Sequence, residues 1–298
     1  MEILKFGAVD IGSNAVRLLF TSVFESKDKT RFKKTAFLRM PVRLGDDVFQ
    51  IGKISEEKVK DLLNISEAFM HLVNVQRVLS FRACATAAMR EASNGMHIVG
   101  LIKEKTGIDI EIISGKEEAE IICSFQTLET LKKNHSFLFV DLGGGSTEIT
   151  LFTDQKAIVS ESFNVGTIRL LRNQDVKDEL KRIKAFLNKI AIDNKHLQII
   201  GSGGNINKIF KLSKKNEDQP LIYDEIKDIY NYIKSFSVES RIQELGFNPD
   251  RADVIEPAAE LFLKIMDWSG VDVAHAPRIG LIDGIIRQQY GKLKGKIG

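Results

Sequence analysis

Two five-residue stretches align 131 positions apart, Val9-Asp10-Ile11-Gly12-Ser13 with Val140-Asp141-Leu142-Gly143-Gly144. Each copy ends one apolar run and leads into another, "FGAVDI" into "VRLLFTSVF" and "FLFVDL" into "TEITLF". A glycine-bearing turn between two such runs predicts a β-hairpin, because Gly and Asn adopt the backbone angles a tight turn demands. Two copies about one domain apart predict two related domains, each opening with a hairpin, that face each other across a cleft. A five-residue match also fits coincidence, so the chemistry of the turns has to decide.

Strand-like and helix-like segments alternate along the whole chain, the pattern of an α/β protein. A helix is predicted from Ser55 through Val73, with Glu56 and Glu57 in its first turn. A strand follows over 77–83, a helix start at Thr86, a helix over "MHIVGLIKEKTG" closed by Gly107, and a strand over 110–113. A helix from Lys116 to Leu131 leads to the second hairpin, and a third strand, "AIVSESF", comes after a turn at Asp154–Gln155. Helical pattern runs from Thr167 to Asn194, and "LQIIGSGGNINKIF" reads as strand, glycine turn and helix. Helices fill 223–267, "VDVAH" is a short strand, and a closing helix covers 278–290. The expected domains are 1–133 and 134–298, with the last helix able to pack back on the first.

Composition removes several function classes. No apolar run approaches the roughly 18 residues of a membrane span, and Asp10 interrupts the N-terminal run before a signal-peptide core forms. Net charge is +3, with lysines gathered in "KLSKKNEDQ" (211–219) and the tail "GKLKGKIG", both read as solvated surface and not as a duplex-binding face. The five histidines lack metal-ligand spacing. Cys84 and Cys123 lie in apolar contexts without CxxC spacing and read as reduced, buried thiols, so a cytoplasmic protein is expected.

The turns themselves suit phosphate. Glycine lets backbone N–H groups converge on an anion without a β-carbon in the way. The cradle candidates are Gly12, Ser13 and Asn14 in the first copy and Gly143, Gly144, Gly145, Ser146 and Thr147 in the second. An aspartate beside such a cradle repels phosphate unless a divalent cation lies between them, which makes Asp141 and Asp10 metal-ligand candidates with Mg²⁺ as the cofactor. Glu148 adds a second carboxylate near Asp141; as a plain surface strand residue it would have no such task. A third glycine turn, "GSGGNI", opens a helix and adds Gly203 and Gly204 as anion-binding candidates.

In "EIISGKEEAEII", Ser114 and Glu117 fit a capping box. Glu118 shares its helical stripe with Ile121, Ile122 and Phe125, the face that turns inward. A carboxylate there needs a reason. It is either a general base that takes a proton from water or a half-buried partner for an arginine. Arg90 falls in the first turn of its predicted helix, where the dipole disfavours a cation; it reads either as a phosphate grip or as a surface arginine. Arg17 and Arg169 are weaker candidates of the same kind.

Taken in order, "AVDIGSNAVRLLF", "ATAAMREASN", "ISGKEEAEII", "VDLGGGSTEIT", "NVGTIRL", "GSGGNINKI" and "NPDRADVIEPAAELFL" resemble the exopolyphosphatase / guanosine pentaphosphate phosphohydrolase (Ppx/GppA) family. The resemblance implies an actin-like, ribonuclease H-like (ASKHA) α/β fold of two domains with the active site in the cleft between them. It is closest to the short two-domain form without a C-terminal HD domain. It also implies Mg²⁺-assisted release of terminal phosphate from inorganic polyphosphate or guanosine pentaphosphate. Motif by motif, the catalytic glutamate falls on Glu118 and the metal and water carboxylates on Asp141 and Glu148. Phosphate contacts fall on Asn14, Arg90, Gly144, Gly145, Ser146 and the 201–204 loop. Ala15 and Ala87 stand where the family often has hydroxyls, and a homodimer extending the substrate groove is compatible with the pattern. A small-molecule kinase of the same fold and a non-catalytic nucleotide-binding switch are the rival readings.

Overall fold

The computed structural model describes residues 2–26, 29–123, 136–154, 156–193, 197–216, 219–277 and 280–295. Two compact units divide the chain: Met1–Phe125 together with Leu281–Gly298, and Gln126–Gly280.

In the first unit β1 (Glu2–Ile11), β2 (Ala15–Glu25) and β3 (Thr30–Pro41) form an antiparallel meander. Helices α1 (Leu44–Ile51) and α2 (Glu56–Gln76) follow, and β4 (Ser80–Ala85) then runs parallel to β1. Helices α3 (Ala87–Glu91) and α4 (Gly95–Thr106) precede β5 (Ile110–Ile112), parallel to β4, and α5 (Gly115–Cys123). The sheet order is β3-β2-β1-β4-β5. Phe6 to Ile11 are buried at consecutive positions, as in a central strand covered on both faces. The closing helix, Leu281–Leu293, packs in this unit against β1, β2, β4 and α5.

Ser55 is the N-cap of α2, and the helix ends on Arg77 in the left-handed conformation. That cap consumes the first residues of the strand expected over 77–83, so β4 begins at Ser80. Two elements carry no readable signal. Strand β3 lies at the edge, mostly exposed, and its Arg31, Lys33, Lys34 and Arg39 are charges that deter further pairing. Helix α1 starts from a left-handed Arg43 with no side-chain cap.

The second unit runs β6 (Ser136–Leu142), β7 (Thr147–Thr153), β8 (Lys156–Phe163), α6 (Thr167–Leu171), α7 (Lys177–Asp193), β9 (Gln198–Ser202) and α8 (Gly204–Leu212). It continues with β10 (Leu221–Ile222), α9 (Tyr223–Lys234), α10 (Val238–Gln243), α11 (Pro249–Ala252), α12 (Ile255–Ser269) and β11 (Val273–His275). Its sheet order is β10-β11-β9-β6-β7-β8. Strands β8-β7-β6-β9-β11 therefore repeat the order and directions of β3-β2-β1-β4-β5, with β10 added antiparallel at the edge. The sequence repeat is thus a repeat of whole sheets. The helical stretch expected from Thr167 splits into α6 and α7 around Asn173, which takes a positive φ of 51°. The rest of the helix expected to reach Leu131, most of the 132–136 break, Gln155, Asn194 and Arg278 lie outside the described residues.

Along β6 the side chains alternate: Leu138, Val140 and Leu142 join a core with Ile183 and Leu187 of α7 and Phe262 and Ile265 of α12. Asp141 therefore points to the opposite face. Among the described residues, no helix is long and apolar enough to cross a membrane.

Candidate functional site

The second hairpin sets one polar row across its sheet. Asp141 is the register partner of Glu148 on β7 and of Ser202 on β9, and Glu148 is the partner of Ser162 on β8. Directly opposed residues share a face, and like charges in that position destabilise a sheet. Asp141 and Glu148 are nonetheless buried, at 9% and 2% exposure, with carboxylate oxygens within 4.8 Å of each other. The Ser162 hydroxyl donates to Glu148 Oε1 at 2.9 Å and orients that carboxylate. Two buried, adjacent carboxylates fit a divalent cation, whose charge offsets a repulsion that burial otherwise makes costly.

The glycines between these strands are fixed from behind. The Thr167 N–H donates to the Gly143 carbonyl at 3.1 Å and the Ile168 N–H to the Gly144 carbonyl at 2.9 Å. Arg169 Nε donates to the Gly145 carbonyl at 2.6 Å, and Nη1 to Gln174 Oε1 at 3.1 Å. Three successive carbonyls are thus drawn to α6. In a trans peptide the N–H points away from the preceding C=O, so the N–H groups of Gly144, Gly145 and Ser146 face the other way as a concave anion cradle. The approach is close: a β-carbon on Gly166 would stand 2.4 Å from the Gly144 carbonyl. Arg169, a weak candidate for gripping phosphate, is a backbone clamp. The Thr147 hydroxyl, expected to face phosphate, donates to the Val165 carbonyl at 2.5 Å and is committed inside the unit.

The third glycine turn belongs to the same unit. Gly203 takes φ of 105° ahead of α8, and its β-carbon position is 3.5 Å from Asp141 Oδ1. Asp141, Glu148, the 143–146 cradle and the 203–204 turn are therefore brought together.

The first hairpin is built alike and charged differently. Its Ser13 and Asn14 carbonyls accept from the Gly45 and Arg43 N–H groups at 2.9 and 3.0 Å, and Gly12 N–H closes the turn onto the Ala15 carbonyl. Asp10, however, pairs with Arg17, its register partner on β2. That pair offsets the charge of its carboxylate, whereas Asp141 has a second acid opposite it. Cys84, its neighbour on β4, is buried, and burial pushes the thiol up to about 12. The side chain of Cys123 lies outside the described residues.

Helix α5 separates its two glutamates. The Glu117 N–H is capped by Ser114 Oγ at 3.1 Å, and the Glu117 carboxylate reaches Arg82 at 3.3 Å, where Glu111 also binds. The Arg82 bond holds the Glu111 carboxyl below its usual range. Glu118, only 7% exposed, lies on the buried stripe with Ala119, Ile121 and Ile122. Arg90 is in the last turn of the five-residue α3, where the dipole favours a cation, so the expected first-turn penalty does not exist. Its Nη1 donates to the Ile113 carbonyl at 2.8 Å, tying α3 to the residue before the α5 cap. Sequence reasoning missed Ser162, whose signal appears only once the strand register is known.

Comparison with known proteins covers nearly the whole chain. The profile of the Ppx/GppA phosphatase family matches residues 22–292. A bifunctional 3-dehydroquinate synthase/phosphatase of Fusobacterium nucleatum is 27% identical over 89% of this chain and 43% of its own length. Exopolyphosphatase 2 of Mycobacterium tuberculosis is 24% identical over 96% of this chain and 98% of its own. The guanosine-5'-triphosphate,3'-diphosphate pyrophosphatase of Aeromonas hydrophila is 22% identical over 96% of this chain and 60% of its own. The chain thus spans less than two thirds of the Fusobacterium and Aeromonas proteins. Among solved structures, the Aquifex aeolicus member of the Ppx/GppA family aligns over 100% of both chains with a TM-score of 0.77 and 24% identity. An exopolyphosphatase from Cytophaga hutchinsonii aligns over 99% of both with a TM-score of 0.84 and 22% identity. The shared fold is α/β and actin-like, with two domains. A profile match from β2 to the closing helix, over a fold built twice on the same sheet order, shows that the chain belongs to the Ppx/GppA phosphatase family.

Proposed function

We propose that this protein is a phosphoanhydride hydrolase that releases terminal orthophosphate from inorganic polyphosphate or guanosine pentaphosphate, with Mg²⁺ as its cofactor. The observation that carries the reading is the opposed, buried pair Asp141 and Glu148 beside a three-amide cradle. Family membership and the names of the Mycobacterium and Aeromonas relatives support it.

In this reading Asp141 and Glu148 hold Mg²⁺, which neutralises charge on the phosphate oxygens when bound. The N–H groups of Gly144, Gly145 and Ser146 take oxygens of the terminal phosphate and are aligned before the reaction, so no reorganisation is needed as charge develops. Glu118 accepts a proton from the attacking water, and the phosphoanhydride oxygen leaves with the shortened chain. The first hairpin, Asn14 and Arg90 contribute further phosphate contacts. Ser162 keeps one Glu148 oxygen turned within the strand row. The reduced, buried Cys84 fits a cytoplasmic setting, and a homodimer would lengthen the substrate groove.

The test is a phosphate-release assay on polyphosphate and on guanosine pentaphosphate, with Mg²⁺ and with EDTA, without any acceptor. Release that needs Mg²⁺ is expected, and Glu118→Gln is expected to abolish it while substrate still binds. Unimpaired turnover by Glu118→Gln, or turnover that needs an added acceptor, would overturn the reading.

A further inference from the structure

Where Glu118 aims is set by the rotation of α5 about its own axis. Successive residues of an α-helix point about 100° apart, so a hold on Glu117 fixes the bearing of its neighbour. That hold comes from Arg82 of β4, whose side chain is only 12% exposed. All three guanidinium nitrogens are engaged. Nε donates to Glu111 Oε1 at 3.0 Å and Nη2 to Glu111 Oε2 at 2.7 Å, a forked pair with β5. Nη2 also donates to Glu117 Oε1 at 3.3 Å, and Nη1 donates to Gln288 Oε1 on the closing helix at 2.8 Å. One arginine thus joins β4, β5, α5 and the closing helix inside the first unit.

The other contacts at the start of α5 act on its backbone. Ser114 Oγ accepts from the Glu117 N–H at 3.1 Å, and the Ser114 carbonyl accepts from the Glu118 N–H at 2.9 Å. Just before the cap, the Ile113 N–H donates to the Ala85 carbonyl at 3.0 Å, and the Ile113 carbonyl accepts from Arg90. These bonds fix where the helix begins. Arg82 instead holds a side chain in the first turn, one residue from Glu118, with a planar fork that fixes direction as well as distance. An ion pair whose acid is 44% exposed adds little to stability, which leaves its geometric effect as the part a measurement can isolate.

Resting on the hydrolase reading, we propose that Arg82 is a positioning residue for the reaction: through Glu117 it holds α5 at the rotation that aims Glu118 at the attacking water. Its bond to Gln288 ties that setting to the closing helix. Removing Arg82 displaces Glu118 without deleting it. The phosphate cradle at 143–146 and the Asp141–Glu148 pair have no bond to Arg82, so the effect falls on the chemical step and not on binding.

The test is steady-state phosphate release from polyphosphate and from guanosine pentaphosphate at saturating Mg²⁺, by wild type, Arg82→Gln, Arg82→Lys, Glu117→Ala and Arg82→Gln/Glu117→Ala. Arg82→Gln is expected to lower kcat about tenfold, with KM within about twofold of wild type. Arg82→Lys keeps the charge without the fork and should recover part of the loss. Glu117→Ala should lower kcat about threefold, and the double variant should be no slower than Arg82→Gln, because both substitutions break one link. Losses that multiply in the double variant, a fall in kcat/KM carried by KM, or a wild-type kcat in Arg82→Gln overturns the proposal. If Arg82→Gln does not fold, Arg82→Lys and Glu117→Ala decide, and an unchanged kcat in both overturns it. No release by wild type on either substrate overturns the hydrolase reading and the positioning role with it. Release that Glu118→Gln abolishes, while the Arg82 and Glu117 variants turn over at the full rate, overturns the positioning role alone.

Discussion

Asp10 and Asp141 occupy the same place in their hairpins, and in each the opposed residue on the next strand lies seven positions on. In the first copy it is Arg17 and in the second Glu148. One substitution of sign separates a closed ion pair from a doubled acid that asks for a cation. Arg169 shows the same economy: an arginine with 8% exposure holds the Gly145 carbonyl, so the Ser146 N–H of the same peptide faces the opposite way. Arg169→Gln is expected to lower kcat/KM for phosphate release about 10- to 100-fold, mainly through KM, since a displaced cradle binds phosphate poorly. The Mg²⁺ concentration for half-activity should not move, and Arg169→Lys should recover part of the loss. Steady-state kinetics on the three proteins checks this; a loss confined to folded yield would mean a structural role only. Asp141, Glu148 and the glycines were legible because their residue types are strange for a strand end. The hold of Arg169 on the Gly145 carbonyl was not, because an arginine in a helical pattern carries no mark of the backbone oxygen it will meet.

At the scale of elements, the closing helix is the support for α5. A β-carbon on Gly284 would stand 2.4 Å from the Ile121 carbonyl, so the two helices meet at backbone distance. Gly284→Ala is expected to cost about 1–3 kcal/mol by overpacking, read from the urea midpoint, and to reduce turnover because α5 carries Glu118. A midpoint at or above the wild-type value would contradict that packing. Hairpins, α2, α4 and the strand before "GSGGNI" were readable from apolar runs, caps and glycines. Strand β3 and helix α1 were not: an exposed edge strand has no buried face to pattern, and a helix that starts from a left-handed arginine lacks a cap signature. The split between α6 and α7 was hidden because apolar spacing continues across Asn173.

For the whole molecule, the repeat of one sheet order in two units was foreshadowed by five residues, but its extent, five strands in each, is a fact of pairing that no local pattern holds. Stability should depend on acidity through β11. Burial holds His275 below its ordinary 6.5, beside Gln198 at 3.2 Å. The folded protein then binds fewer protons than the unfolded chain, so this contribution is complete above about pH 6.5 and is lost as pH falls below it. His275→Gln is expected to show a smaller drop in melting temperature between pH 7.5 and 5.5 than wild type; an equal or larger drop would contradict the assignment.

The hydrolase account rests on Asp141 and Glu148 acting as a cation site, and phosphate release from polyphosphate followed against free Mg²⁺ tests it directly. Wild type should release nothing in EDTA, and Glu148→Gln should need at least about tenfold more Mg²⁺ for half its own maximal rate. Full activity in EDTA, or superimposable Mg²⁺ curves for the two proteins, would contradict it.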